Sequence, residues 1–123
     1  MSRKLSDLTP ELEMRTRALL HKAEEMGIEI TIVDTLRTKE EHIVNLAAGT
    51  SWIKESLHLP GPDGKSRGID ICPTEYLPMK GWNPKGLYWT VLGKLGKSFK
   101  LGWGGDWIKK DLGHFEWRGN VET

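Results

Sequence analysis

The sequence predicts an α+β domain, a small antiparallel sheet with helices packed against it. Three patterns carry that reading. Leu8, Leu12, Leu19, Ala23 and Met26 recur at helical intervals. Ile28, Ile30 and Ile32 alternate with Glu29 and Thr31, as in a half-buried strand. Two short apolar runs, RGIDIC and HFEW, lie later in the chain among Gly- and Pro-rich turns. The 123 residues suffice for one domain over 1–123 and are too few for two ordinary ones.

Each element has its own start and stop. Thr9-Pro10-Glu11 opens the first helix with a capping hydroxyl, a proline at the first helical position and early negative charge, and Gly27 ends it. The strand that follows runs to about Asp34. Thr38-Lys39-Glu40-Glu41 has capping-box spacing, so a second helix is expected from Thr38 to Ala48, burying Ile43, Leu46 and Ala47 and stopping at Gly49. Pro60-Gly61-Pro62-Asp63-Gly64 is turn chemistry. Arg67 to Cys72 reads as a central strand. Asn83-Pro84 is expected to start a third helix with Leu87, Val91, Leu92, Leu95 and Phe99 inward. Gly86, Gly93 and Gly96 each weaken that helix by about 1 kcal/mol relative to Ala, a cost that close packing on a sheet would explain. Gly102 ends it, Gly104-Gly105 makes a tight turn, and His114 to Trp117 forms a last strand.

Composition excludes several classes. Lys+Arg 18 against Asp+Glu 17 gives a net charge of +1, so nothing draws the chain to nucleic acid. No apolar run is long enough to span a membrane. The N-terminus has charge but no apolar segment, so a secretory signal is not expected. The lone cysteine, Cys72, excludes an internal disulfide, and its place in an apolar strand before Pro73 marks it as a core thiol. Phosphate-loop, GxSxG and HExxH motifs are absent. Six Trp, clustered late, suggest aromatic walls around a site.

The remaining chemistry lies in His and carboxylate residues of the second half. His58 follows Ser56 in a polar loop, Asp70 sits between two isoleucines, and His114 opens the last strand three residues after Asp111. A carboxylate within an apolar strand needs a cation or hydrogen bonds. Two imidazoles and a carboxylate suit catalytic zinc, leaving a position for water that a further group must deprotonate. Asp111 in the turn DLGH is the candidate base. The bland readings are a solvated His58, an Asp70 that caps a turn and an Asp111 that stabilises the turn at Gly113. His21 and His42 read as surface or rim residues. Arg37, at the exit of the first strand, is placed to bind a carboxylate or a developing oxyanion, or is simply a surface arginine.

These segments resemble the LAS zinc peptidases, which include VanY-like D-alanyl-D-alanine carboxypeptidases and phage L-alanyl-D-glutamate endopeptidases. The resemblance rests on IEITIVDTLRTKEEHIVNLAAGT, Ser56-Leu57-His58, Arg67-Gly68-Ile69-Asp70, Trp103-Gly104-Gly105-Asp106-Trp107 and Asp111-Leu112-Gly113-His114-Phe115-Glu116, and spans Leu8 to Trp117. It implies the hedgehog/D-Ala-D-Ala peptidase-like fold and zinc (Zn2+) held by His58, Asp70 and His114. It further implies Asp111 as general base and Arg37 as the support of the tetrahedral intermediate. Ser56, Trp103, Trp107 and Glu116 then contact substrate or support the ligands. The implied function is an endolysin, a monomeric catalytic domain without a separate wall-binding domain. Made in the cytoplasm without a signal peptide and released through a holin, it cuts the L-Ala–D-Glu bond of peptidoglycan stem peptides. The alternatives are a D-alanyl-D-alanine carboxypeptidase of the same fold and a non-catalytic, metal-stabilised wall-binding module. Eleven residues separate His58 from Asp70, more than the family motif has, so Pro60 to Ser66 looks inserted. Gly68, Ser66 and His42 stand where the family usually has Ala, Gly and Gln.

Overall fold

The computed structural model describes residues 2–36, 59–117 and 119. A 3-10 turn (Leu5–Asp7) leads into helix α1 (Pro10–Glu25) and strand β1 (Ile30–Asp34). Strand β2 (Gly68–Pro73), 3-10 turns at Thr74–Tyr76 and Lys80–Trp82, and helix α2 (Leu87–Ser98) follow. Strand β3 (Gly102–Trp103), a 3-10 turn at Gly104–Asp106 and strand β4 (His114–Glu116) complete the described chain. The sheet has the order β1-β2-β4-β3, and every neighbouring pair is antiparallel. The apolar run RGIDIC thus supplies an inner strand, as expected, and every residue of β2 except Asp70 is buried. The helix expected over Thr38–Ala48 lies outside the described residues.

Helix α1 starts at Pro10 as predicted, but Thr9 does not cap it with its hydroxyl, which is buried without a hydrogen-bond partner. Its inner face is Leu12, Thr16, Leu19 and Ala23. Met26 does not join the stripe and is 52% exposed, because the helix has reached its C-cap there. Gly27, at φ +81°, reverses the chain while the Ile28 N–H donates to the Ala23 carbonyl at 2.9 Å. Leu8 is buried ahead of the helix, where the backbone bridges to Ser66.

Helix α2 begins later than Asn83-Pro84 suggests, at Leu87 with Gly86 as N-cap. Gly81, Trp82 and Asn83 all adopt left-handed backbone, with φ of 59°, 59° and 53°, which no helix start tolerates. Such backbone costs a residue other than glycine roughly 1–2 kcal/mol. The Trp89 indole offsets this by donating to the carbonyls of Trp82 (3.1 Å) and Asn83 (3.0 Å). The buried face is therefore Trp89, Leu92, Gly93 and Gly96, and Leu87 is 80% exposed rather than inward. A Cβ on Gly93 would fall 2.5 Å from the Trp103 ring, and one on Gly96 would fall 2.4 Å from the Phe115 ring. The glycines do let the helix approach the sheet.

Lys100, not Gly102, ends α2. It takes φ +65° while its N–H donates to the Lys97 carbonyl and the Leu101 N–H to the Gly96 carbonyl, both at 2.9 Å. Gly102 instead opens β3. Arg15 of α1 ties the helices together, donating to the Phe99 carbonyl at 2.7 Å and lying 3.9 Å over the Trp117 ring. Cys72 is fully buried, and burial pushes its thiol up to about 11, as suits an inert core residue.

Candidate active site

The β2–β4 ladder sets Asp70 directly opposite His114. Nδ1 of His114 lies 3.2 Å from Oδ1 of Asp70, and its Nε2 lies 2.8 Å from Oε1 of Glu116. Glu116 reaches the ring because residues two apart on a strand share a face. With the Nε2 proton donated to Glu116, the Nδ1 lone pair faces a carboxylate, and two acceptors so placed require a proton or a cation between them. Burial opposes a charge on this ring, but the hydrogen bonds and charges of Asp70 and Glu116 outweigh it and raise its pKa to about 9.

Asp111 reaches the same point through two interlocking turns. Its N–H donates to the Gly104 carbonyl at 3.0 Å, and its carbonyl accepts from the His114 N–H at 3.2 Å. The Trp103 indole donates to the Leu112 carbonyl at 2.8 Å, and the Ile71 N–H of β2 donates to the Gly113 carbonyl at 2.9 Å. A Cβ on Gly104 would sit 2.2 Å from the Asp111 carbonyl oxygen, and one on Gly105 the same distance from the Trp103 ring. The glycine pair of WGGDW is thus what lets DLGH seat. One ligand atom each from Asp70, Asp111 and His114 lies within 4.8 Å of the others. A metal ion fits this donor set, since an imidazole held by a carboxylate and two further carboxylate groups converge on one point.

The Trp107 ring stands 5.0 Å from the His114 ring at 44° and shields it. The Trp103 ring packs against Gly93 of α2 and Gly105 of its own turn. His21 is distant, paired with Glu25 on the exposed side of α1. Arg37, His42, Ser56 and His58 lie outside the described residues. Beside Asp111 opens a pocket of about 320 Å³, lined by Gly81, Trp82, Pro84, Trp89, Lys110, Asp111, Leu112 and Gly113. Sequence reasoning missed Trp82 and Lys110. Their only local signal is the turn chemistry around Gly81 and Pro84, which does not say what the turn faces.

The sequence profile of an M15 peptidase family described as D-alanyl-D-alanine carboxypeptidase matches residues 54–117, the stretch that carries Asp70, Asp111 and His114. The L-alanyl-D-glutamate peptidase of Listeria phage A118 is 35% identical over 108 residues, covering 85% of this chain and 34% of that protein. This chain therefore spans about a third of that relative. The L-alanyl-D-glutamate peptidase of Escherichia phage T5 is 32% identical over 114 residues, covering 85% of this chain and 76% of the relative. The crystal structure of Serratia marcescens L-Ala D-Glu endopeptidase ChiX has the same fold, with a TM-score of 0.67 at 19% identity over 91% of this chain and 81% of that one. Profile, relatives and the motifs of the site agree, and the chain belongs to the M15 family, the LAS-type zinc peptidases.

Proposed function

We propose that this chain is a zinc-dependent peptidoglycan peptidase that hydrolyses the L-Ala–D-Glu bond of stem peptides, as the monomeric catalytic domain of a phage or prophage endolysin. The names of the two phage relatives support the bond. The observation that carries the chemistry is the convergence of Asp111 on the Asp70–His114 pair. A carboxylate beyond the ligands suits a base for the attacking water, and that argues against a non-catalytic binding module.

In this reading Asp70, His114 and His58 would hold zinc, and Glu116 fixes the His114 ring through its Nε2. When bound, zinc supplies a Lewis acid that polarises the scissile carbonyl and acidifies the attacking water. Asp111 takes the proton of that water and returns it to the leaving amine. Arg37 binds the oxygen on which charge develops. Trp107 shields the His114 ring from solvent, and Trp103 holds the turn that aims Asp111. Ser56 is assigned to substrate contact. Release to the wall through a holin belongs to the same proposal.

The family profile's description favours a second reading, removal of a terminal D-Ala. Mass spectrometry of muropeptides digested by the protein separates the two, since fragments ending in L-Ala support the first and loss of D-Ala alone supports the second. Asp111→Asn keeps the side-chain shape but cannot accept a proton. It should retain fold and zinc while kcat falls by about 10²–10⁴-fold. Near-normal turnover in that variant would refute Asp111 as base, and loss of zinc would make it a ligand.

A further inference from the structure

We infer that the pocket between the Gly81–Asn83 turn and the Asp111–Gly113 turn is a substrate subsite for the carboxylate-bearing residue beside the cut, with Trp82 as its wall and Lys110 as its charge. The inference rests on the functional reading above for the identity of that residue. Its geometry is independent of it.

The pocket adjoins the reactive groups, because one of its walls is the turn that carries Asp111 and runs into His114. At about 320 Å³ it lies near the lower end of the range for small-ligand sites, roughly 300–1,000 Å³, and suits one residue rather than a sugar chain. The opposite wall is the left-handed segment, where Trp82 and Asn83 both take positive φ. Two hydrogen bonds from the Trp89 indole hold the carbonyls of Trp82 and Asn83 in that conformation. The Trp82 ring then lies against the opposing turn, where a Cβ on Gly113 would be 3.5 Å from its Cζ3. An indole lying against the turn that carries the base offers a flat apolar surface for the methylene part of a substrate residue.

Lys110 supplies the polar end. It is the cation among the residues lining the pocket, and Nζ donates to the Gly105 carbonyl at 2.9 Å. That bond anchors the ammonium to the WGGDW turn and leaves two of its three protons for a ligand. A glutamyl residue joined to the chain through one carboxyl keeps the other as a carboxylate. An ammonium carried by the residue next to Asp111 in the pocket lining favours an acidic residue over its amide.

The test uses a product-like dipeptide, D-Glu joined through its side-chain carboxyl to L-Lys, and the same compound with its α-carboxylate converted to carboxamide. Each is titrated into the zinc-loaded protein while tryptophan emission is followed. The free carboxylate should bind about tenfold more tightly than the carboxamide, Lys110→Met should erase the difference, and Trp82→Phe should weaken both. Lys110 is exposed, so its variant should fold normally. Equal affinities in the unaltered protein, a preference that survives Lys110→Met, or no binding at all would overturn the subsite. Turnover of N-acetyl-L-Ala-D-Glu-L-Lys reads the bond separately. Lack of cleavage with the carboxylate preference intact would refute the bond assignment and uphold the subsite. On that peptide Lys110→Met should act on KM with little change in kcat.

Discussion

Burial alone would keep the His114 ring neutral, yet two carboxylates hold a proton on it to about pH 9 in the metal-free protein. The consequence has a definite sign. A group whose pKa is raised on folding stabilises the native state fully below its unfolded value, near 6.5, and loses that contribution as pH rises through the folded one. Chelator-treated protein should therefore melt several degrees lower at pH 9.5 than at pH 6.5, whereas zinc-loaded protein should show little of this change. A metal-free melting temperature that is flat between those pH values would contradict the coupling of His114 to Asp70 and Glu116. The residues of this cluster were legible because their chemistry is odd for their surroundings. A carboxylate between isoleucines and a histidine at a strand start three residues after an aspartate both ask for an explanation. Lys110 and Trp82 are ordinary in a loop, and only the folded turn gives them a neighbour.

The two glycine-containing turns show how segments, rather than single side chains, aim the chemistry. Asp111 is positioned by its backbone contact with Gly104, so a methyl group there collides with a carbonyl oxygen and not with a pliable side chain. Gly104→Ala should destabilise by about 1–3 kcal/mol, the usual range for overpacking. It should also lower kcat by about 10²-fold as Asp111 moves. Thermal melts and muropeptide turnover measure the two effects, and unchanged kcat would show that the turn does not aim Asp111. Segment boundaries were readable where local chemistry decides them, as at Pro10, Gly27 and the two apolar runs. They were misread where a distant group decides. The indole of Trp89 stabilises a left-handed turn that delays α2, and that delay rotates its buried face from Leu87 to Trp89. Lys100 ends the same helix in a conformation usually left to glycine, because Leu101 behind it is buried.

Among the described residues, the two helices pack on each other and on the sheet through buried apolar side chains, joined by polar ties. Arg15 makes one such tie, since its guanidinium donates to the Phe99 carbonyl at the C-cap of α2 and stacks on Trp117 after β4. Arg15→Ala should cost about 1–2 kcal/mol in urea unfolding, from a lost charge-assisted bond and a lost ring contact. Arg15→Lys should recover only part, because an ammonium does not stack as a planar guanidinium does. Equal stability of all three proteins would show that α1 and α2 are held by apolar packing alone. The α+β layout itself was legible, since helical and strand periods alternate in the chain. The strand order was not, because nothing local tells β4 to pair between β2 and β3.

The pairing of Asp70 with His114 across a ladder rung also governs how such a chain can change over time. Their spacing is set by backbone hydrogen bonds, so side-chain neighbours can be exchanged without separating them. Gaining or losing one residue inside β2 or β4 would turn one partner to the opposite face and abolish the cluster at a stroke. Extra length is therefore harmless only outside the rungs. The stretch Pro60 to Ser66 shows where that allowance ends, since the Ser66 backbone is already pinned to Asp7 and Thr9 and its hydroxyl to the Gly68 carbonyl. Length changes ahead of Ser66 are expected to leave the Asp70–His114 pair behind it in step.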